Sequence, residues 1–304
     1  MTNVAVLDCG SNSTRLLIID PVGRALEREM RITRLSAGVD SARNLAMDSM
    51  QRSFDVLSEY RTVMDEHRVT RGLLVATSAV RDAANGVNFL TRASDITGVE
   101  ARILSGTEEA LYSFAGATKD LDSDSRSTVI VDIGGGSTEL ALRHARAVLG
   151  YSMQLGCVRV SERALGFGVV EPAARARAQS MIELEIDNAF AAVPEFASVR
   201  GDVRLVGLAG TVATLAQLAA GLDTYERQAV HHCLISRGAV QWWRDHLGAM
   251  TLSQRLEITG MVPGREDVMV AGLFILDAIM ERFGTDELLS SEDDILDGVA
   301  ASLI

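Results

Sequence analysis

One loop occurs twice in this chain, and its repetition narrows what the chain can fold into. The first copy reads Val6-Leu7-Asp8-Cys9-Gly10-Ser11-Asn12-Ser13-Thr14-Arg15-Leu16, and the second reads Val131-Asp132-Ile133-Gly134-Gly135-Gly136-Ser137-Thr138-Glu139-Leu140. Aligned on the two aspartates, Gly10 meets Gly134, Ser13 meets Ser137, Thr14 meets Thr138 and Leu16 meets Leu140. Apolar residues precede each Asp, small residues fill the middle and apolar residues resume, which is the pattern of a strand, a tight turn and a returning strand. An ordinary turn has no reason to recur with the same Asp, Gly, Ser and Thr, so the pair implies duplicated domains facing each other.

The residue types in these loops suit anions. Glycine permits close backbone approach, so several N–H groups can point into one concavity, and Ser and Thr hydroxyls add donors. The Asp at the strand end can orient a metal-bound water. Two such loops suit a phosphate-rich ligand, and the net charge of −12 limits which one. It argues against nucleic acid and anionic membrane as partners. A long polyanion would also want a basic stripe, and no Lys/Arg run occurs, so a short phosphate chain in a local cleft is the expectation.

At 304 residues, 47% hydrophobic and 23% charged, the chain has room for two globular domains. Three cysteines, Cys9, Cys157 and Cys233, are too few and too odd for a disulfide framework and point to the cytoplasm. Met1-Thr2-Asn3 leads straight into a strand, with no signal peptide expected. Leu205 to Leu222 is uncharged but rich in Gly, Ala and Thr, and reads as buried strand, turn and helix rather than a membrane span.

Taken in order, residues 24 to 38 read as a charged strand with its turn, and Arg43 to Val69 as a long amphipathic helix. Gly72 to Thr77 is a buried strand that delivers Arg81 to its C-terminal end, where a guanidinium could bind phosphate or simply face solvent. A helix near Val87 to Thr97 and a strand over Val99 to Leu104 lead to Ser105-Gly106-Thr107-Glu108-Glu109, a helix start with Ser105 or Thr107 as N-cap. Its glutamates could be no more than partners of the helix dipole.

Lys119 to Ser127 is a polar linker. Its alternating Asp120, Asp122 and Asp124 lack the glycine and distal glutamate of a calcium loop. Beyond the second loop, Pro172 opens a helix to about Val193, and Arg204 to Thr211 is a strand whose Gly210-Thr211 turn enters a helix, a third candidate anion site. His231-His232 are expected on opposite faces of a strand, which disfavours a shared metal. Trp242 and Trp243 are expected to pack in a helix capped by Ser236. A helix over Val268 to Phe283 is stopped by Gly284, and Ser291 to Asp294 resembles a capping box for a terminal helix.

Six blocks together resemble the exopolyphosphatase/guanosine pentaphosphate phosphatase (Ppx/GppA) family: D-x-G-S-N-S at Asp8, T-S-A-x-R-D-A-x-N at Thr77, S-G-x-E-E-A at Ser105, D-I-G-G-G-S-T-E at Asp132, G-x-A-G-T at Gly207 and P-x-R-x-D at Pro263. The resemblance implies an α/β protein of two ribonuclease H-like domains of the actin/sugar-kinase (ASKHA) superfold with an interdomain active-site cleft. Domain I would span 1–121, completed by the terminal helix 291–304, and domain II 122–290. Residue by residue, it implies Glu109 as the catalytic base. Asn12, Ser13, Arg81, Gly134, Gly135, Gly136, Ser137, Thr138, Gly210 and Thr211 would contact phosphate. Asp132 and Glu139 would hold metal, with Asp8 a further candidate.

The implied activity is Mg2+-dependent hydrolysis of the terminal phosphoanhydride of inorganic polyphosphate, with Mn2+ as a substitute ion and short chains preferred. The implied protein is a cytoplasmic homodimer. The alternatives are hydrolysis of guanosine pentaphosphate to tetraphosphate in the stringent response, or a non-catalytic regulator that binds polyphosphate or alarmone. Glu266 stands where the family usually has alanine, and Leu296 where an arginine often precedes the final Asp-Gly.

Overall fold

The computed structural model describes residues 2–122 and 124–304, which divide into two compact units, Met1–Gly116 with Ile295–Ile304, and Ala117–Asp294. In the first unit, β1 (Val4–Cys9), β2 (Ser13–Ile19) and β3 (Ala25–Ile32) form an antiparallel meander, and β4 (Arg71–Ala76) and β5 (Glu100–Ile103) add in parallel beyond β1. The order is β3-β2-β1-β4-β5. Every residue of β1 is buried, because both faces of this central strand are covered.

Side chains alternate across a strand. Ala5, Leu7, Cys9, Leu16 and Ile18 therefore face one core with Leu57, Tyr60 and Phe89, while Val4, Val6, Leu17 and Ile19 face another with Ile295, Leu296 and Val299 of the helix Ile295–Ala301. The helices of this unit are α1 (Val39–Ala42), α2 (Met47–Glu66), α3 (Ser78–Asp82), α4 (Gly86–Thr97) and α5 (Gly106–Thr118).

The long helix starts four residues later than its periodicity suggests. Arg43 is left-handed at φ 54°, and the Asn85 side chain binds both the N–H and the carbonyl of Leu45, which removes that backbone from helical pairing. At α5, Ser105 Oγ accepts from the Glu108 N–H at 3.2 Å and Glu108 Oε2 accepts from the Ser105 N–H at 2.8 Å. This capping box makes Ser105 the N-cap and commits Glu108 to the helix start.

The second unit repeats the plan. β6 (Ser127–Ile133), β7 (Thr138–His144) and β8 (Ala147–Met153) form the meander, followed by α6 (Cys157–Val160), a π turn over Ser161–Leu165, α7 (Pro172–Ala192) and α8 (Glu195–Ser198). Then come β9 (Val203–Leu208), α9 (Ala209–Ala219), α10 (Arg227–Val230), β10 (Leu234–Ser236), α11 (Arg237–Gly248), α12 (Leu252–Leu256), α13 (Met269–Phe283) and β11 (Glu287–Ser290). In the order β10-β11-β9-β6-β7-β8, β9 pairs parallel to β6, β11 parallel to β9, and β10 adds antiparallel to β11 at the edge.

Three local expectations are corrected. His231 and His232 lie in the turn after α10, not on a strand, and their rings stack at 3.8 Å with His232 left-handed at φ 59°. Ser291 Oγ accepts from Asp293 N–H and donates to Asp293 O, a local turn two residues long rather than a capping box. Trp243 packs on the core as expected, but Trp242 is exposed and stacks on His246, one helical turn away.

Candidate active site

The two repeated loops are the same turn at atomic level. In the first, Gly10 N–H donates to Ser13 O at 3.0 Å; in the second, Gly134 N–H donates to Ser137 O at 3.0 Å. A Cβ at Gly10 or Gly134 would stand 3.1 or 3.0 Å from that same acceptor, so both positions favour glycine for want of space. The hairpins pair in equivalent register, Asp8 opposite Arg15 and Asp132 opposite Glu139.

The first unit gathers loop 1, Arg81 and Glu109. Asn12 O accepts from the N–H groups of Thr33 and Arg34, and Ser11 O from Ser36, so the turn is held from behind. Asn12 Nδ2 is buried and has no hydrogen-bond partner among the described residues, which leaves it as a candidate donor. Ser13 starts β2, and its carbonyl closes the turn. The Ser11 and Ser78 hydroxyls meet at 2.9 Å, which ties the turn to the start of α3, and α3 carries Arg81. Arg81 Nη1 donates to Leu104 O at 2.8 Å and to Glu109 Oε1, so the half-buried arginine and the buried glutamate form an ion pair.

The two neighbouring glutamates are thereby sorted. Glu108 serves the helix cap, and the Ser105 backbone N–H followed by its hydroxyl holds that carboxyl below the usual range. Glu109 is buried, 4% exposed, against Arg81. Asp8 Oδ2 receives both Nε and Nη2 of Arg15, at 3.0 and 2.6 Å. A cation at Asp8 would share this carboxylate with the Arg15 guanidinium, which engages Oδ2 alone in the bonds described.

The second unit gathers loop 2, two carboxylates and the start of α9. Asp132 and Glu139 are cross-strand partners on one face of the hairpin, where like charges repel unless a cation lies between them. Ser152 Oγ, on the next strand, donates to Glu139 Oε1 at 2.6 Å and fixes its orientation. Among the described residues no three His, Cys, Asp or Glu side chains are grouped to cage a metal. Two carboxylates completed by water and substrate oxygens match the way Mg2+ is usually held.

Within loop 2, Gly135, Gly136 and Ser137 give their N–H groups to no backbone carbonyl among the described residues, and the buried Thr138 Oγ1 has no partner. At the end of β9, Ala209 is left-handed at φ 64° and Gly210 follows. A Cβ at Gly210 would land on the Arg265 guanidinium, so glycine is required for that arginine to lie over the helix start. Thr211 is buried with its side chain against Gly272 of α13. Arg15, Arg159 and Arg265 were not singled out from sequence. Arg15 was visible as the partner of Glu139 in the loop alignment, and Arg265 lay inside the P-x-R-x-D block.

The model of the Ppx/GppA phosphatase family matches residues 17–304. The chain belongs to this family. Exopolyphosphatase 2 of Mycobacterium tuberculosis is 37% identical, over 100% of this chain and 99% of that protein. A crystal structure of an exopolyphosphatase-like protein aligns over 100% of both chains with a TM-score of 0.92 and 31% identity. The Aquifex aeolicus Ppx/GppA family member aligns over 99% of this chain and 97% of its own, with a TM-score of 0.79 and 28% identity. The ethanolamine utilization protein EutJ of Carboxydothermus hydrogenoformans, at 9% identity and a TM-score of 0.50, shares the fold alone. The α/β two-domain class implied by the Ppx/GppA resemblance is thus borne out.

Proposed function

We propose that this chain is an exopolyphosphatase, a phosphoanhydride hydrolase that releases orthophosphate from the end of an inorganic polyphosphate. The observation that carries the reading is loop 2, where backbone donors are aimed outward beside a cross-strand carboxylate pair, in a chain full-length similar to exopolyphosphatase 2. Phosphoryl transfer to water needs an aligned nucleophile, a base and donors on the equatorial oxygens, with little covalent work.

The Gly135, Gly136 and Ser137 N–H groups bind those oxygens, with the Gly210 turn and Arg265 as further contacts. In the first unit Arg81 and Asn12 Nδ2 are phosphate donors, and Glu109 takes the proton from the attacking water. The oxygen–phosphorus bond forms as the anhydride bond breaks, and the shortened chain leaves with its negative charge. Asp132 and Glu139 would hold Mg2+, whose role when bound is to neutralise charge on the phosphate oxygens. Mn2+ would fit the same two carboxylates.

With Mg2+ and short polyphosphate the purified protein should release orthophosphate. Glu109→Gln should lower kcat by about 10²–10⁴-fold, the usual worth of a general base, when assayed well below a thermal midpoint that itself falls because the ion pair with Arg81 is broken. Wild-type turnover in that variant would remove Glu109 from the mechanism. The net charge of −12 supports a preference for short chains over long ones.

Guanosine pentaphosphate is the second candidate substrate. A Vibrio vulnificus guanosine-5'-triphosphate,3'-diphosphate pyrophosphatase is 29% identical over 99% of this chain, although the match spans 59% of that protein. Relative kcat/KM on the two substrates decides between them. We place the enzyme in the cytoplasm, which three free cysteines support. No helix among the described residues is long and apolar enough to cross a membrane. A homodimer is proposed as the working state, for sedimentation to test.

A further inference from the structure

Three consecutive carbonyls of loop 2 are turned toward one short segment behind it. Gly134 O accepts from the Cys157 N–H at 2.9 Å, and Gly135 O from the N–H groups of Val158 and Arg159 at 2.9 and 3.1 Å. Gly136 O accepts from Arg159 Nε at 2.7 Å, and Arg159 is 8% exposed. A planar trans peptide carries its C=O and the following N–H in opposite directions. Pulling the carbonyls of Gly134, Gly135 and Gly136 backward therefore aims the N–H groups of Gly135, Gly136 and Ser137 forward.

Gly156 completes the arrangement, since a Cβ there would land inside the Gly135 carbonyl. The last of the three carbonyls has only a side chain to hold it among the bonds described, and that side chain is Arg159. In loop 1 the equivalent work is done by backbone N–H groups of Thr33, Arg34 and Ser36.

We propose that Arg159 is a positioning residue for phosphate binding: its Nε–H holds the Gly136 peptide so that the Ser137 N–H and its neighbours face the anion. This rests on the reading of loop 2 as a phosphate cradle. Arg159→Gln keeps an N–H donor at the position of Nε, whereas Arg159→Met keeps the length without a donor. Comparing the two therefore separates the hydrogen bond from packing.

The test is a titration of the 15N-labelled full chain with inorganic phosphate, read at the amide signals of Gly135, Gly136 and Ser137, alongside kcat and KM on tripolyphosphate. In the wild type these three signals should move together. In Arg159→Met the half-saturating phosphate should rise about tenfold, as for loss of one charge-assisted hydrogen bond, with KM raised more than kcat is lowered. Arg159→Gln should recover most of that loss. Equal behaviour of the Gln and Met variants would overturn the inference. So would a wild-type titration in which other residues shift while these three stay fixed, whatever the variants' folding. A wild type in which phosphate moves no signal would instead remove the phosphate-enzyme reading itself.

Discussion

In loop 1 Asp8 faces Arg15 across the hairpin, and in loop 2 Asp132 faces Glu139 at the same place in the same turn. The backbone is common to both, down to the Gly N–H that closes on a Ser carbonyl at 3.0 Å. One side-chain exchange therefore puts a second carboxylate where the first loop has a guanidinium. The same turn recurs in both units, and the residue opposite the aspartate sets whether that carboxylate is faced by a guanidinium or by another carboxylate.

The largest effects should separate the two aspartates. Asp132→Asn should reduce kcat/KM by about 10²–10³-fold, by weakening metal-assisted charge neutralisation, and leave stability near wild type. Asp8→Asn should act on the fold, since it strands a largely buried Arg15 whose guanidinium holds that carboxylate. A loss of about 3 kcal/mol in urea unfolding is expected. An Asp8→Asn protein as stable as wild type would erase the distinction.

Next come the matched glycines. Gly10→Ala and Gly134→Ala place a Cβ 3.1 and 3.0 Å from equivalent carbonyls, and each should cost about 1–3 kcal/mol of stability through overpacking. Clearly unequal losses would mean that the turns are not mechanically equivalent. Gly210→Ala differs, because the obstruction is the flexible end of Arg265. Activity should fall about tenfold, an effect near 1.4 kcal/mol, while the unfolding midpoint hardly moves.

The smallest effects concern the thiols. Cys9 lies in loop 1 beside Asp8, and burial followed by that charge pushes its pKa far up. Cys157 lies behind loop 2, where burial raises it to about 11. A raised thiol contributes stability that is complete below its ordinary value of 9.0 and is lost as pH climbs toward about 11. Alkylation of the native protein at pH 8 should therefore label the half-buried Cys233 first, with Cys157 joining at higher pH and Cys9 last.

Much of the architecture was legible because it is written in local periodicity. The strands around both loops, the helices from Gly86 to Thr97 and from Pro172 to Ala192, and the Gly284 stop all follow from apolar spacing and backbone chemistry. The misreadings arose where a distant group overrode the local signal. Asn85 holds Leu45 out of α2, forty positions away, and no window of sequence around Leu45 contains that fact. His231 and His232 looked like strand residues because their neighbours are apolar, yet β10 begins only at Leu234.

By itself, the sequence determined the duplication, the two glycine turns and the set of acidic, hydroxyl and glycine residues in them, since these depend on composition and spacing along the chain. Only the tertiary structure decided what each side chain faces. It paired Arg81 with Glu109, committed Glu108 to a helix cap, laid Arg265 over Gly210 and turned three carbonyls of loop 2 toward Cys157, Val158 and Arg159. Hydrogen bonds and ion pairs act over about 3 Å in space and are indifferent to separation in sequence, so these pairings exist only once the chain has packed.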